Sequence, residues 1–259
     1  MKPTLIFIIC LLFLNESTLA QSCNKEVSKL RRKQIQQADL RLPILNVVQL
    51  YTYRRRFLWQ ATFNSTASFI HPRVLITAGH NLSNKDTEVK KITIKIGCTD
   101  KDSFLLKQSF ATKMNSNIYV APSYNQKPSF EEDFGIIILP DSTLYNRVKG
   151  NFKLTNFSRR QKKGDIIMTG YPEPNTGIKL WTDKTSNFSL INNLLKYDFY
   201  TEKGASGSPI YNSANQLIAI HTGGTDEPKQ CNIATPINDK IIYFIKRWCT
   251  ENNISIDSR

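Results

Sequence analysis

No apolar run in this chain of 259 residues reaches the ~18 residues that mark a candidate membrane-spanning helix. The longest, LIFIICLLFL at residues 5–14, follows Lys2 and precedes the small residues of Thr18-Leu19-Ala20. That layout reads as a secretory signal over residues 1–20, cleaved, with no membrane anchor. Histidine is scarce, at His71, His80 and His221 only, and no cysteine pair has C-x-x-C spacing, so a zinc site is excluded as the organising chemistry. Internal repeats and low-complexity tracts are absent. Acidic residues are outnumbered 21 to 35 by Lys and Arg, a net charge of +14 that signal removal leaves unchanged because Lys2 and Glu16 cancel. The basic residues are scattered as RRK, RRR, RR and KK, without interleaved aromatics or a recognition helix, so the chain reads as having a basic solvated surface and no nucleic-acid partner.

Export makes the cysteines matter. Cys10 leaves with the signal, and Cys23, Cys98, Cys231 and Cys249 allow three disulfide pairings, which the spacing leaves open. Five N-x-S/T sequons follow, at Asn64, Asn81, Asn156, Asn187 and Asn253; a eukaryotic secretory pathway could glycosylate several, a bacterium none.

What is present is a series of short apolar runs broken by turn residues: ILNVVQL (44–50), TASFI (66–70), RVLITA (73–78), KITIKIG (91–97), FGIIILP (134–140), DIIMTG (165–170) and QLIAI (216–220). Their length and their Ile, Val, Leu and Phe content predict strands. One segment predicts a helix, NDKIIYFIKRW (238–248), with Ile241, Phe244, Ile245 and Trp248 on one stripe and Asn238 or Asp239 as N-cap. Residues 21–43 are polar and basic and read as a leader or extension outside the core. The sum is an all-β chain with a terminal helix.

Three stretches carry chemistry. RVLITAGH delivers His80 from the end of a strand, FEEDFGIIIL places Asp133 at the head of another, and GASGSP holds Ser206 among small residues. Singly each is weak; together they have the form of a hydrolytic triad, because a serine hydroxyl needs an imidazole base and the imidazole needs a carboxylate to fix its tautomer and stabilise its cation. Gly204, two residues before the serine, lets the chain turn so that the Gly204 and Ser206 amides both face a developing oxyanion. The G-x-S-x-G elbow is excluded, since Ser208 stands at its second glycine. The order His80, Asp133, Ser206 is that of the chymotrypsin type.

These motifs resemble the chymotrypsin-like serine peptidases. GASGSP, MTGYP (168–172), Trp181, YDFYT (197–201) and IAIHTGG (218–224) are similar in order and spacing to the bacterial-type glutamyl endopeptidase branch, over residues 39 to 250. The resemblance implies two antiparallel six-stranded β-barrels with a cleft between them, about 34–145 and 150–236, and a C-terminal helix at about 238–250. It implies a secreted monomeric endopeptidase acting on protein or peptide substrates, cutting after Glu and also Asp, with no cofactor and no metal. His80, Asp133 and Ser206 would be the triad, Gly204 and Ser206 the oxyanion donors, and Thr201 and His221, five residues before and fifteen after the nucleophile, the groups that read the acidic P1 side chain. Glu131 and Glu132 compete with Asp133 for the carboxylate role; Asp133 is favoured because the strand starts directly after it. Thr222 would lie near Asp133, and His71 is incidental. Ala205 replaces the aspartate that animal trypsins use for activation, and Asn81 stands where they have a cysteine. Residues 21–33 would be a propeptide, cleaved near Leu30-Arg31-Arg32-Lys33. The competing readings are a catalytically inactive binding protein of the same fold and a peptidase of trypsin-like or broad specificity.

Overall fold

The computed structural model describes residue 23 and residues 25–256, apart from 57–58, 84–86, 101, 158–163, 174–177 and 225–230. The signal at 1–20 lies outside the described residues. The chain enters through a short helix α1 (Lys25–Arg31) and strand β1 (Lys33–Gln34). A first sheet follows: β2 (Val47–Arg56), β3 (Trp59–His71), β4 (Val74–Thr77), β5 (Glu88–Ile96), β6 (Leu106–Ala111), β7 (Ile118–Val120) and β8 (Gly135–Ile138). Helices α2 (Pro122–Gln126) and α3 (Thr143–Val148) flank β8. The second half holds β9 (Lys153–Leu154), β10 (Ile166–Gly170), β11 (Trp181–Thr185), β12 (Phe188–Ile191), β13 (Leu194–Tyr197), β14 (Pro209–Asn212), β15 (Gln216–Gly223) and β16 (Asn232–Pro236), then α4 (Asp239–Glu251).

The strands form two curled sheets. The first runs β6-β5-β2-β3-β4-β8-β7 and the second β1-β11-β10-β14-β15-β16-β13-β12, with β9 alongside β15 in the one parallel pairing between named strands. The counts are seven and nine rather than six and six, in part because β1, from the N-terminal segment, adds itself to the edge at β11 and the two-residue β9 pairs off the main path. All seven apolar runs become strands. Those without such a run include β6, whose alternating exposed and half-buried residues carry little apolar signal.

Each sheet encloses its own apolar cluster, with Leu50, Phe69, Ile92 and Ile137 in the first and Ile166, Leu195, Phe199 and Ile210 in the second. A third cluster fills the seam between the sheets and carries α4: Ile76, Phe134, Tyr171 and Ile220 meet Ile241 and Phe244. The helix starts where the sequence places it, with the Asn238 side chain accepting from the Ile241 amide, and it runs to Glu251, three residues beyond the apolar stripe and one beyond the bound the resemblance implies. Trp248 stacks on Tyr119 of β7 at 4.2 Å between ring centroids, tying the C-terminal helix to the N-terminal sheet. The two sheets are thereby held as one body with a cleft between them.

The segment expected outside the core is docked on the second sheet. Cys23 is disulfide-bonded to Cys231, and Ser28 and Ile35 are buried. Arg31 donates from Nε to Asp183 Oδ1 at 2.7 Å and from Nη2 to Asp183 Oδ2 and Asp198 Oδ1, both at 3.1 Å. Arg32 pairs with Glu202 at 3.0 Å and lies over the rings of Trp181 and Tyr200. Polar and basic composition therefore did not mean solvated here, because buried carboxylates on β11 and after β13 receive the charge. Arg31→Ala leaves Asp183 and Asp198 buried without their cation. It should lower unfolding free energy by about 2–3 kcal/mol, less than the ~3–5 of a fully buried pair because Arg31 keeps 30% of its side chain exposed. The check is a urea melt in which the midpoint falls and the slope stays constant; an unchanged midpoint would mean the segment is only loosely attached.

Cys98 and Cys249 are buried and unpaired. Among the described residues no helix is long and apolar enough to cross a membrane.

Candidate active site

Strand β4 is buried along its whole length to Thr77, and after Ala78 the chain tightens into a 3-10 turn, Gly79–Asn81. The turn sets His80 at the mouth of the cleft, about one-third exposed. A Cβ on Gly79 would stand 3.1 Å from the Asp133 carboxylate, so the small residue lets the two segments approach. Asp133 follows its own 3-10 turn, Phe130–Glu132, and is buried. It accepts the His80 backbone N–H on Oδ1 at 2.8 Å and holds Nδ1 of the imidazole on Oδ2 at 2.6 Å. A carboxylate can only accept, so the imidazole proton sits on Nδ1 and Nε2 presents a lone pair to the cleft. The neighbouring carboxylate Glu132 is engaged by Ser123 and Lys240, which leaves Asp133 as the partner of His80.

The serine loop is built on two glycines with left-handed backbone, Gly204 at φ +93° and Gly207 at φ +86°. A Cβ on Gly207 would fall 2.0 Å from the Thr66 carbonyl, so only glycine fits. Inside the loop, Ala205 N–H donates to Glu202 O and Ser208 N–H to Ala205 O. The first sheet grips it from outside: Thr66 Oγ1 donates to Gly204 O at 2.9 Å, while Thr66 N–H and Asn81 Nδ2 donate to Ser206 O at 2.9 and 3.0 Å. With their carbonyls held this way, the Gly204 and Ser206 N–H groups have no acceptor among the described residues. His80, Gly204 and Ser206 line the same cleft, together with Asn64, Asn81, Tyr124 and Arg54.

Asn81 had been counted among the glycan acceptors. The structure buries it, with Nδ2 donating to Thr77 Oγ1 at 2.9 Å as well as to Ser206 O, so it has no room for a glycan. Its amide bridges the histidine turn to the serine loop in the place where animal enzymes carry a cysteine. Nothing in the spelling N-L-S announces that role.

His221 lies on β15, buried, with Nδ1 2.5 Å from the Tyr197 hydroxyl. Full burial pushes the Tyr197 phenol well above its ordinary range, so it remains a hydroxyl able to donate. Thr201 Oγ1 donates to Asn232 Oδ1 at 2.9 Å, and Asn232 opens β16, the strand paired with β15. Asn232 is thus a support for this corner that the sequence did not reveal. Among the described residues the Thr222 hydroxyl donates to Ile233 O at 3.4 Å and makes no hydrogen bond to Asp133. His71 accepts the Arg73 N–H at 3.2 Å in the β3–β4 turn, a local role.

Two curled sheets meeting at a cleft, a histidine held by a buried carboxylate, and a serine loop with two open amides define the class of chymotrypsin-like serine proteases. The Trypsin family model matches residues 47–245, and the chain belongs to that family. Two curated glutamyl endopeptidases from strains of Staphylococcus aureus are each 28% identical, over 199 and 189 residues, covering 74% and 70% of this chain and 53% and 54% of their own. The chain thus spans about half the length of these relatives. Among solved structures, a Glu endopeptidase in complex with MPD aligns with a TM-score of 0.67 at 18% identity, over 83% of this chain and 95% of that one. The protease Anisep from Arthrobacter nicotinovorans aligns at 0.65 and 11%, over 85% and 99%. These two likenesses establish the fold.

Gly204→Ala tests the open amides directly. Its Cβ would stand 2.4 Å from Tyr171 O and 2.6 Å from Asn64 Nδ2, so the peptide must rotate and carry its N–H away. The expected result is a fall in kcat of about 10²–10³-fold, the size of one lost oxyanion donor. A variant with full kcat would show that the Gly204 amide holds nothing.

Proposed function

We propose that the chain is an exported serine endopeptidase that cuts peptide bonds after Glu and, less well, after Asp. The observation that carries the proposal is the His80–Asp133 pair facing the same cleft as the free Gly204 and Ser206 amides. In the reaction, Ser206 Oγ attacks the carbonyl carbon while its proton passes to His80 Nε2; Asp133 stabilises the imidazolium, and the two amides hold the oxyanion. Collapse of the intermediate breaks the C–N bond as His80 returns the proton to the leaving amine. Water then repeats the sequence on the acyl-enzyme and frees Ser206.

The Glu preference rests on Thr201 and His221. The Tyr197 hydroxyl lies 2.5 Å from His221 Nδ1 and 3.5 Å from Ile233 O; when its one proton goes to Nδ1, the His221 proton resides on Nε2, a donor suited to a carboxylate entering a partly dry pocket. Thr201 would turn its hydroxyl from Asn232 to the substrate. The curated relatives carry the name glutamyl endopeptidase, which agrees with this reading. The net charge of +14 favours the approach of acidic substrates, an advantage that salt reduces. The same proposal includes a signal at 1–20, a leader at 21–33 cut near Leu30–Lys33, and a peptidase domain at 34–259. Leu30 is 89% exposed, and the Cys23–Cys231 disulfide would keep a cut leader attached.

The test is a peptide library digested by the purified protein beside Ser206→Ala, with the cut bonds read by mass spectrometry. Cuts after Glu that vanish in the variant support the reaction and the pocket together. Cuts after Lys, Arg or apolar residues overturn the pocket assignment. No cutting by any processed form leaves a binding protein on the same fold.

A further inference from the structure

The triplet Arg54-Arg55-Arg56 looks like solvated surface in the sequence, yet Arg54 is only 7% exposed. It sits near the end of β2, its guanidinium 5.0 Å from the centroid of the Phe63 ring, with Nη2 donating to the His80 carbonyl at 2.5 Å. Its Nε is buried and has no acceptor among the described residues. None of the ion pairs among the described residues includes Arg54. The carboxylates at hand do not answer it: both Asp133 oxygens are held by His80, and Glu173, which lines the same cleft, is not in ion-pair contact with it.

A guanidinium keeps its charge in a protein, and a buried cation without a counter-ion is strongly unfavourable. This one stands at a wall of the cleft that also holds His80 and Ser206, and at an adjoining depression with Arg55, Lys90 and Lys91. The position is open to an anion arriving with the substrate, and the planar fork of a guanidinium suits a carboxylate.

We propose that Arg54 is a second acid-binding site for the peptide substrate. It takes the carboxylate of an Asp or Glu in the stretch of substrate that crosses the first sheet, on the opposite half of the molecule from Thr201 and His221. The enzyme then reads two acidic side chains around one scissile bond. This rests on the endopeptidase reading above and adds a specificity residue to it.

The test uses peptides with a single Glu at the cut bond and a further Glu moved through the positions on either side, each with a Gln twin. kcat/KM is measured for the wild type, Arg54→Gln and Arg54→Lys. At one position away from the cut bond, the wild type should favour Glu over Gln by about 10- to 100-fold, the range of a charge-assisted bond out of bulk water. Arg54→Gln should bring that ratio close to one, and Arg54→Lys should keep part of it, having the charge without the fork. A wild type with no such position overturns the proposal without any variant being needed, so poor folding of a variant cannot protect it. A ratio that survives in Arg54→Gln overturns it too. If every peptide slows alike with the ratio intact, Arg54 acts only through the His80 carbonyl and the acid-binding assignment is wrong. A wild type that cuts none of the peptides refutes the endopeptidase reading itself, and this proposal with it; that outcome is distinct from a wild type that cuts Glu and Gln twins equally.

Discussion

Ser206→Ala should lower kcat on a glutamyl peptide by about 10⁵–10⁶-fold, and His80→Ala by a similar factor. The two losses should not add. Once Ser206 Oγ is gone, an intact His80–Asp133 pair has no proton to take, so the double variant should be no slower than either single one within about three-fold. Asp133→Asn should cost about 10⁴-fold, because an amide at Oδ2 can present N–H to Nδ1 and impose the wrong tautomer. Single-turnover burst kinetics on an activated ester separates acylation from deacylation and reads all three variants. A Ser206→Ala protein within a hundredfold of wild type would remove this serine as the nucleophile. Additive losses in the double variant would show that His80 serves some step other than activating Ser206. The Ser206→Ala protein should still fold, since Ser206 is partly exposed and its backbone carbonyl, not its hydroxyl, accepts from Thr66 and Asn81.

The second large effect lies in the P1 pocket proposed at Thr201 and His221. Exchanging Glu for Gln at P1 should reduce wild-type kcat/KM by about 10- to 100-fold, the worth of charge-assisted bonds in a partly desolvated site. His221→Asn should shrink that ratio to a few-fold by removing the Nε2–H donor. His221 is buried against Tyr197, so this change also disturbs packing. Thr201→Val gives an independent reading, because Thr201 is only half-buried and among the described residues its side chain bonds to Asn232 alone. A Glu/Gln ratio unchanged in both variants would place acid recognition elsewhere in the cleft. A wild type indifferent to Glu and Gln would end the glutamyl assignment while leaving the serine chemistry standing. Performed with the Arg54 peptides, the same measurements separate acid recognition at the cut bond from acid recognition beside it.

The chemistry was legible because it is spelled in short local stretches. TAGH and GASGSP mark a turn that must leave a strand, and a loop that must be built of small residues. Gly204 and Gly207 take left-handed backbone there, a conformation that glycine adopts without a Cβ penalty. The apolar runs marked seven strands for a similar reason, since a strand buried on both faces writes its burial into consecutive residues. β12 and β13 escaped notice although their connection carries a turn signal: Asn192 and Asn193, both at positive φ, join FSLI to LLKY in a two-residue hairpin.

What stayed hidden depended on partners far away in the chain. Arg31, Arg32 and Arg54 are alike on paper. Asp183 and Asp198 claim the first, Glu202 and two aromatic rings the second, and among the described residues no carboxylate the third. Asn81 reads as a glycan acceptor until the serine loop packs against it. Four cysteines allowed three pairings, and only the docking of α1 and β1 on the second sheet brings Cys23 to Cys231, across a separation of 208 residues. The sequence by itself determined a mostly β chain with a C-terminal helix, and put forward His80, Asp133 and Ser206 as the candidate triad, because backbone conformation and strand burial are local constraints that each residue type obeys or breaks. Only the tertiary structure decided which charges are paired, which amides are left open and where the N-terminal segment lies, because electrostatic and hydrogen-bond partners are chosen by distance in space.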